Sequence, residues 1–430
     1  MTTRARTGAA LAAWTLLLAL AWVLGQVKRN TTDRDLKLDA MPLYGTWDPH
    51  FDATLLAPLA AGALVIAVLP AAAARWRWRY AVIATAAAAV LFSTALALAH
   101  SHPSTWGDLD KHYASGGRFV DEAGGVAPFL RQYTELQLEG VFPVHLQSHP
   151  PGLVLFLWGA AKAGLEGLLF QNAVVQLAVA AAAVAALVIG RDVAGERLTR
   201  RAAPFLVIVP AAFWHNNADV VFAGVTLSAV ACLILATNRT GPRSVVLTAV
   251  GGLLAGAALM LSFSAALLAV PVLVVAIRRR RWGVLIGGGA FAAAVVLAPL
   301  LWGYWWFEGL QVTRARYYAG VASARGYWYF LLANLAVFAF ALGPAIAVAL
   351  ARLNPRTSGE SRMWIVVGSC LAAVAIADLS GMSSAETERI WQPFMPLVLL
   401  AGCALTRPRG WLALQLAVAV ILAAALSVQW

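Results

Sequence analysis

The sequence predicts an all-α polytopic membrane protein, and three observations carry that prediction. Of the 430 residues, 61% are hydrophobic and 12% are charged, whereas a soluble domain carries roughly 25% charged residues. Apolar runs long enough to cross a bilayer recur along the whole chain and leave no room for a large soluble domain. Alternating strand patterns are absent, which argues against a barrel. Lipid offers no partner for bare peptide groups, so each apolar run must be helical.

Hydropathy places about thirteen transmembrane helices, at approximately 9–26, 53–73, 80–100, 168–190, 203–215, 219–237, 245–262, 264–277, 283–302, 328–351, 363–380, 389–406 and 411–428. The first has basic residues before it but no small-residue cleavage site, and reads as a retained helix rather than a signal peptide. The fifth is short for a full crossing and contains Pro204 and Pro210. The seventh and eighth are separated only by the Ser262-Phe263-Ser264 break.

Charge tests this path independently of hydropathy. With Arg4 and Arg6 holding the N-terminus in the cytoplasm, the inside segments carry 20 of the 32 Lys and Arg but 3 of the 20 acids. That asymmetry is the positive-inside pattern. It assigns the net charge of +12 to topology rather than to a nucleic-acid partner. The chain is thereby expected in the cytoplasmic (inner) membrane, with its working face outside. Cys232, Cys370 and Cys403 lie in separate apolar runs and imply neither a disulfide framework nor a metal site.

Three outer segments are long (27–52, 101–151 and 303–327) and rich in acids, His, Arg and aromatics, the kind of loop on which function concentrates. The chain divides accordingly into an N-terminal three-helix segment (1–100), an outer loop with an interfacial helix (101–167) and a helical bundle (168–430). The middle loop opens with Trp106-Gly107-Asp108-Leu109-Asp110-Lys111-His112-Tyr113 and closes with His149-Pro150-Pro151-Gly152. Asp108 and Asp110 pair closely at a helix exit and are the first candidates for chemistry. Asp33, Asp35 and Asp39 read as solvated acids. The segment after the prolines carries Lys162, is too short to cross and reads as an interfacial helix.

His149 has two readings. Proline restricts the residue before it, so His149 either starts that helix or donates to a phosphate. Arg389, at the entrance to an apolar helix, must snorkel, pair or bind an anion. Glu386 is its nearest acidic partner, and an ion pair pinning the helix entrance is the alternative to a site. Asp219 is a further acid at the outer boundary. Arg314, Arg316 and Arg325 stand among Tyr317, Tyr318, Tyr327 and Trp328, a cluster that anchors at the interface or supplies positive charge to an anionic lipid head. No HExxH, Walker A, dinucleotide or GxSxG motif is present. Few ionisable residues lie mid-span, which argues against an ion-coupled pump.

Four features resemble the GT-C superfamily of integral-membrane glycosyltransferases. They are the Asp108-Leu109-Asp110 acids with Tyr113, the His-Pro-Pro-Gly close of the same loop, the Gly-rich hairpin of 245–281 ending in four arginines, and the Glu386…Arg389…Pro393 helix entrance. The Ala-, Val- and Arg-heavy composition suits a high-GC bacterium of the actinobacterial type. The resemblance implies transfer of a sugar from a polyprenyl-phosphate donor to a glycan or glycolipid acceptor. Asp110 would act as general base and Asp108 or Glu386 would orient the acceptor or a divalent cation (Mg or Mn). Arg389 with His149 and Arg316 would hold the lipid phosphate. Two departures stand out. The loop follows the third helix rather than the first, which leaves Asp48-Pro49-His50 and Asp52 as alternative acids. Histidine also stands where the family often has another residue before the prolines. A lipid-linked-saccharide transporter and a non-catalytic scaffold are the competing readings.

Overall fold

The computed structural model describes residues 2–31, 36, 38–99 and 108–428, apart from the side chains of Asp108 and Val321. The chain is a multi-pass helical membrane protein, 81% of it helix. Trp106, Gly107, Asp33 and Asp35 lie outside the described residues.

Three long helices open the chain: α1 (Thr3–Thr31), α2 (Leu56–Arg75) and α3 (Trp78–Ala99). The long loop then folds into α4 (Asp108–His112), α5 (Gly117–Glu122), α6 (Val126–Glu139) and α7 (Gly152–Lys162). The bundle continues with α8 (Gly167–Ala194), α9 (Glu196–Ala202), α10 (Ala218–Thr237), α11 (Gly241–Leu261), α12 (Ala269–Arg278) and α13 (Trp282–Leu297). It ends with α14 (Trp306–Ala319), α15 (Tyr327–Leu342), α16 (Pro344–Arg352), α17 (Ser358–Leu379), α18 (Thr387–Ile390), α19 (Met395–Leu399) and α20 (Pro408–Ala425).

Among the described residues, nine helices are long and apolar enough to cross a membrane, or ten if α15 and α16 count as one bent span. The expected thirteen regular helices are therefore not all formed. Four of the apolar runs are irregular instead. Residues 203–215 become two short 3-10 turns, each carrying a proline near its start, because Pro204 and Pro210 cannot donate to a helix. Residues 389–406 break into short turns around Pro393 and Pro396. Residues 263–278 start as a 3-10 turn before α12. The run 328–351 bends by 95° between α15 and α16, where Gly343 takes φ +82° ahead of Pro344. The side chain of Gln415 on α20 repairs that break. It accepts from the Ala345 N–H at 3.2 Å and donates to the Leu342 carbonyl at 2.8 Å, as backbone freed inside a membrane requires.

Hydrogen bonds sort the ends of the elements into two sets. At one end Arg352 donates to Thr7, Arg200 to the carbonyls of Ala73 and Trp76, and Arg279 to Asp192. At the other, Asp48 N–H donates to Ala425, Gln171 to Asp110, Trp306 to Leu259, and Arg389 to Asp219. The first set gathers the segments rich in arginine and the second those rich in acids. We call them the basic end and the acidic end. A two-residue antiparallel pair, Thr46–Trp47 with Leu426–Ser427, closes the acidic end by joining the first loop to the last helix.

Candidate active site

The acidic end holds a cluster drawn from widely separated segments. Its centre is Arg389 on α18, only 6% exposed. One guanidinium nitrogen donates to Asp219 Oδ2 at 2.6 Å and the other to Glu386 Oε2 at 2.7 Å. Asp219 sits in the first turn of α10, whose N-cap Asn217 accepts from the Val220 N–H; a carboxylate is favoured at that helix end by the macrodipole. Arg325, also buried, stands 3.8 Å from Glu386 Oε1 and donates to the backbone carbonyls of Leu36 and Ser384. Two arginines thus face two carboxylates, and the cluster is close to neutral.

The segment bearing Glu386 is held in an unfavourable conformation. Ala385 and Glu386 have φ +77° and +62°, in the left-handed region where non-glycine residues are strained. Asn334 of α15 fixes it: its amide oxygen accepts from Ala385 N–H, and its amide nitrogen donates to the Ser383 carbonyl and to Asp378. Glu388 is completely buried beside this turn. Its Oε1 accepts the Tyr44 N–H at 3.0 Å and its Oε2 has no hydrogen-bond partner among the described residues. Burial pushes its carboxyl up to about 7.

Three histidines from the long loop lie against the cluster. His112 and His145 stack with ring centroids 3.8 Å apart, and His149 packs on Phe222 of α10 at 5.1 Å. Burial lowers His149 from the usual 6.5 to about 4, with the positive charge of Arg389 adding and Asp219 opposing. His112 is lowered to about 4 by burial and by Lys111, and His145 is held well below 6.5 by burial and by Arg389. All three are therefore uncharged at neutral pH. Near neutral pH the ring of His149 is therefore available as an uncharged donor or acceptor beside Arg389. Its Nδ1 is buried without a partner among the described residues, an acceptor position that a hydroxyl could fill.

The segment 145–149 is positioned from below. Tyr133 donates to the carbonyls of Leu146 and His149, and Gln137 reaches the carbonyls of Leu146, Gln147 and His149. Arg316 of α14 donates to Gln147 Oε1 at 2.7 Å and to the Leu138 carbonyl. Arg316 thereby helps order the histidine segment. Directly after the prolines, α7 packs so closely on α11 that a Cβ on Gly152 would clash with the Met260 carbonyl oxygen.

Asp110 belongs to the opening of the long loop. It is exposed on α4 and accepts from the Gln171 amide at 3.1 Å. Asp108 opens the same short helix, and its side chain lies outside the described residues. Of the alternative acids, Asp52 caps the turn at Ala53–Leu55 through Thr54, while Asp48 is held through its backbone N–H, which bonds the Ala425 carbonyl. No group of three or more His, Cys, Asp or Glu among the described residues is arranged to hold a metal ion. Asp219 and Glu386 each direct an oxygen at Arg389.

Sequence reasoning missed His112, His145, Tyr133, Gln137, Gln171, Asn334 and Glu388. Asn334 carried a signal, being a polar side chain inside an apolar run. The others acquire meaning only from contacts that the fold makes, from Gln137 with Leu146, 9 positions apart, to Glu388 with Tyr44, 344 apart.

No protein-family model matches the sequence, and no curated protein matches it. Among solved structures, the chain is similar to ArnT from Cupriavidus metallidurans in the apo state, at 18% identity and a TM-score of 0.42. The match covers 75% of this chain and 60% of that one, so the chain spans less than two thirds of the length of this neighbour.

Proposed function

We propose that the protein is a membrane glycosyltransferase of the GT-C type. It would move a sugar from a polyprenyl-phosphate donor to an envelope glycan or glycolipid at the outer face of the cytoplasmic membrane. The observation that carries this reading is the buried Arg389, shared by Asp219 and Glu386 and flanked by neutral His149, at the end where the acids gather. The order of the acidic loop, the Pro-Pro helix start and the Glu…Arg helix entrance supports it.

In this reading an acceptor hydroxyl attacks the anomeric carbon of the donor. The new carbon–oxygen bond forms as the bond to the phosphate oxygen breaks, and the hydroxyl proton passes to a carboxylate. Asp110 is the base we assign: it is exposed, and its single amide donor leaves lone pairs free for a proton. The departing polyprenyl phosphate gains charge, which preorganised cations stabilise. Arg389 and Arg325 are the cations at hand. Because Glu386 and Asp219 balance them, a phosphate must displace one carboxylate. Glu386 is the one to yield, being the more exposed and held in a strained turn. His149 Nδ1 would accept a sugar hydroxyl.

The test is a transfer assay in membranes supplied with radiolabelled polyprenyl-phosphate sugars, comparing wild type with Asp110→Asn, Asp48→Asn and Arg389→Lys. Transfer lost in Asp110→Asn and Arg389→Lys but kept in Asp48→Asn is the expected pattern. Loss in Asp48→Asn alone would move the base to the first loop. Wild type that consumes no donor would discard the glycosyltransferase and make lipid-linked-saccharide transport the next reading to test.

A further inference from the structure

The opposite end of the bundle carries a second feature that the proposed chemistry does not use. A cavity of about 560 Å³ opens there between the end of α2, α9 and the start of α20. Pro70 and Ala74 of α2 form one wall, Leu405 and Pro408 another, and Arg197 and Arg201 of α9 the third.

The arginines divide by what they already hold. Arg200 is fully engaged: Nε and Nη2 donate to Glu196 Oε1, and Nη1 donates to the carbonyls that end α2, Ala73 and Trp76. Glu196 also pairs with Arg191 through its second oxygen at 2.9 Å. These contacts brace the wall and use up the acid. Arg197 and Arg201 have no hydrogen bond or ion pair among the described residues, although both line the cavity. They are four residues apart on one helix and so share a face. The cavity is therefore a cationic recess with apolar sides, at the level where α2 ends and α20 begins.

We infer that this recess binds the headgroup of an anionic phospholipid. The phosphate would meet Arg197 and Arg201, with the glycerol and upper acyl region against the apolar walls. Two unspent guanidiniums match the charge and the forked geometry of a phosphodiester, and basic recesses between membrane helices suit such headgroups. Topology alone explains arginines at this end but not their lining of one cavity without protein partners.

The full-length protein, placed in phosphatidylcholine nanodiscs doped with phosphatidylglycerol, would be assayed for retained phosphatidylglycerol by mass spectrometry. At roughly a fivefold gain per arginine near the surface, R197A/R201A should weaken retention about thirtyfold. Arg243→Ala removes an exposed charge from the same end, outside the cavity, and should leave retention within about twofold. Arg197→Glu, at an exposed helix position, reads the same loss in a variant whose folding is not in question. Retention unchanged in R197A/R201A would overturn the inference. So would an equal loss in Arg243→Ala, which marks diffuse attraction, or displacement of the lipid by millimolar inorganic phosphate, which marks a site for soluble anions.

Discussion

Arg389 and Asp219 stand 170 positions apart in the chain, yet their side chains meet at 2.6 Å with both nearly excluded from solvent. A buried pair of this kind adds little relative to an apolar pair, but removing one partner strands the other charge. Asp219→Ala should therefore cost about 3–5 kcal/mol in thermal unfolding. Asp219→Ala with Arg389→Met should cost clearly less than the two single changes summed. Strict additivity would mean that the pair is not coupled as the geometry requires.

The amide of Gln171 sets the orientation of Asp110 across two helices. Gln171→Leu removes one hydrogen bond to a charged group, worth about 1.5–3 kcal/mol. If Asp110 is the base, turnover should fall roughly ten- to a hundredfold with donor KM little changed. A change confined to KM would place Asp110 in binding instead.

Acid and base should act on stability in opposite senses through two buried groups. His149 sits near 4 rather than 6.5, so between those values the unfolded chain takes up a proton that the folded chain refuses. Its contribution is whole above about 6.5 and is lost as pH falls towards about 4, by about 1.4 kcal/mol per pH unit at most. Glu388 is raised from 4.5 to about 7, so its contribution is whole below 4.5 and is lost as pH rises. His112, partly exposed, and His145 act in the same sense as His149. Unfolding midpoints followed from pH 4.5 to 7 should thus rise more steeply with pH in Glu388→Gln and less steeply in His149→Gln. Parallel curves for wild type and both variants would contradict these assignments.

Gln415 should matter out of proportion to its distance from any chemistry. It is fully buried and satisfies two backbone groups freed at Gly343-Pro344. Gln415→Leu keeps the volume and strands both, at about 1–3 kcal/mol each. Gln415→Glu, which retains the accepting oxygen, should recover part of the loss in thermal unfolding. Equal stability of Gln415→Leu and wild type would show that the bend needs no partner.

Hydropathy made the nine long helices legible, because apolarity over a bilayer-length run leaves helix as the one way to satisfy the backbone. It overcounted regular helices at 203–215, 263–278 and 389–406, since apolarity measures affinity for lipid and not helical continuity. Proline decided the first and last of these. The residues of the arginine cluster were legible one by one: Arg389 and Glu386 as an i, i+3 pair, Asp219 as a boundary acid. Their meeting was not, because it depends on how α10 packs against the 387–404 segment. The support beneath His149 was likewise hidden, as Tyr133 and Gln137 act on carbonyls that any sequence would have.

The distance along the chain between Asp219 and Arg389 also sets an order of events during synthesis. At about 5–20 residues per second, the acid enters the growing bundle roughly 10–30 s before its cation exists. For that interval Asp219 must stay near water, stay protonated or borrow a temporary partner. The acidic end therefore cannot reach its final form from any shorter nascent chain. Its closing stitch comes later still, when Leu426 and Ser427 arrive to pair with Trp47 and Thr46.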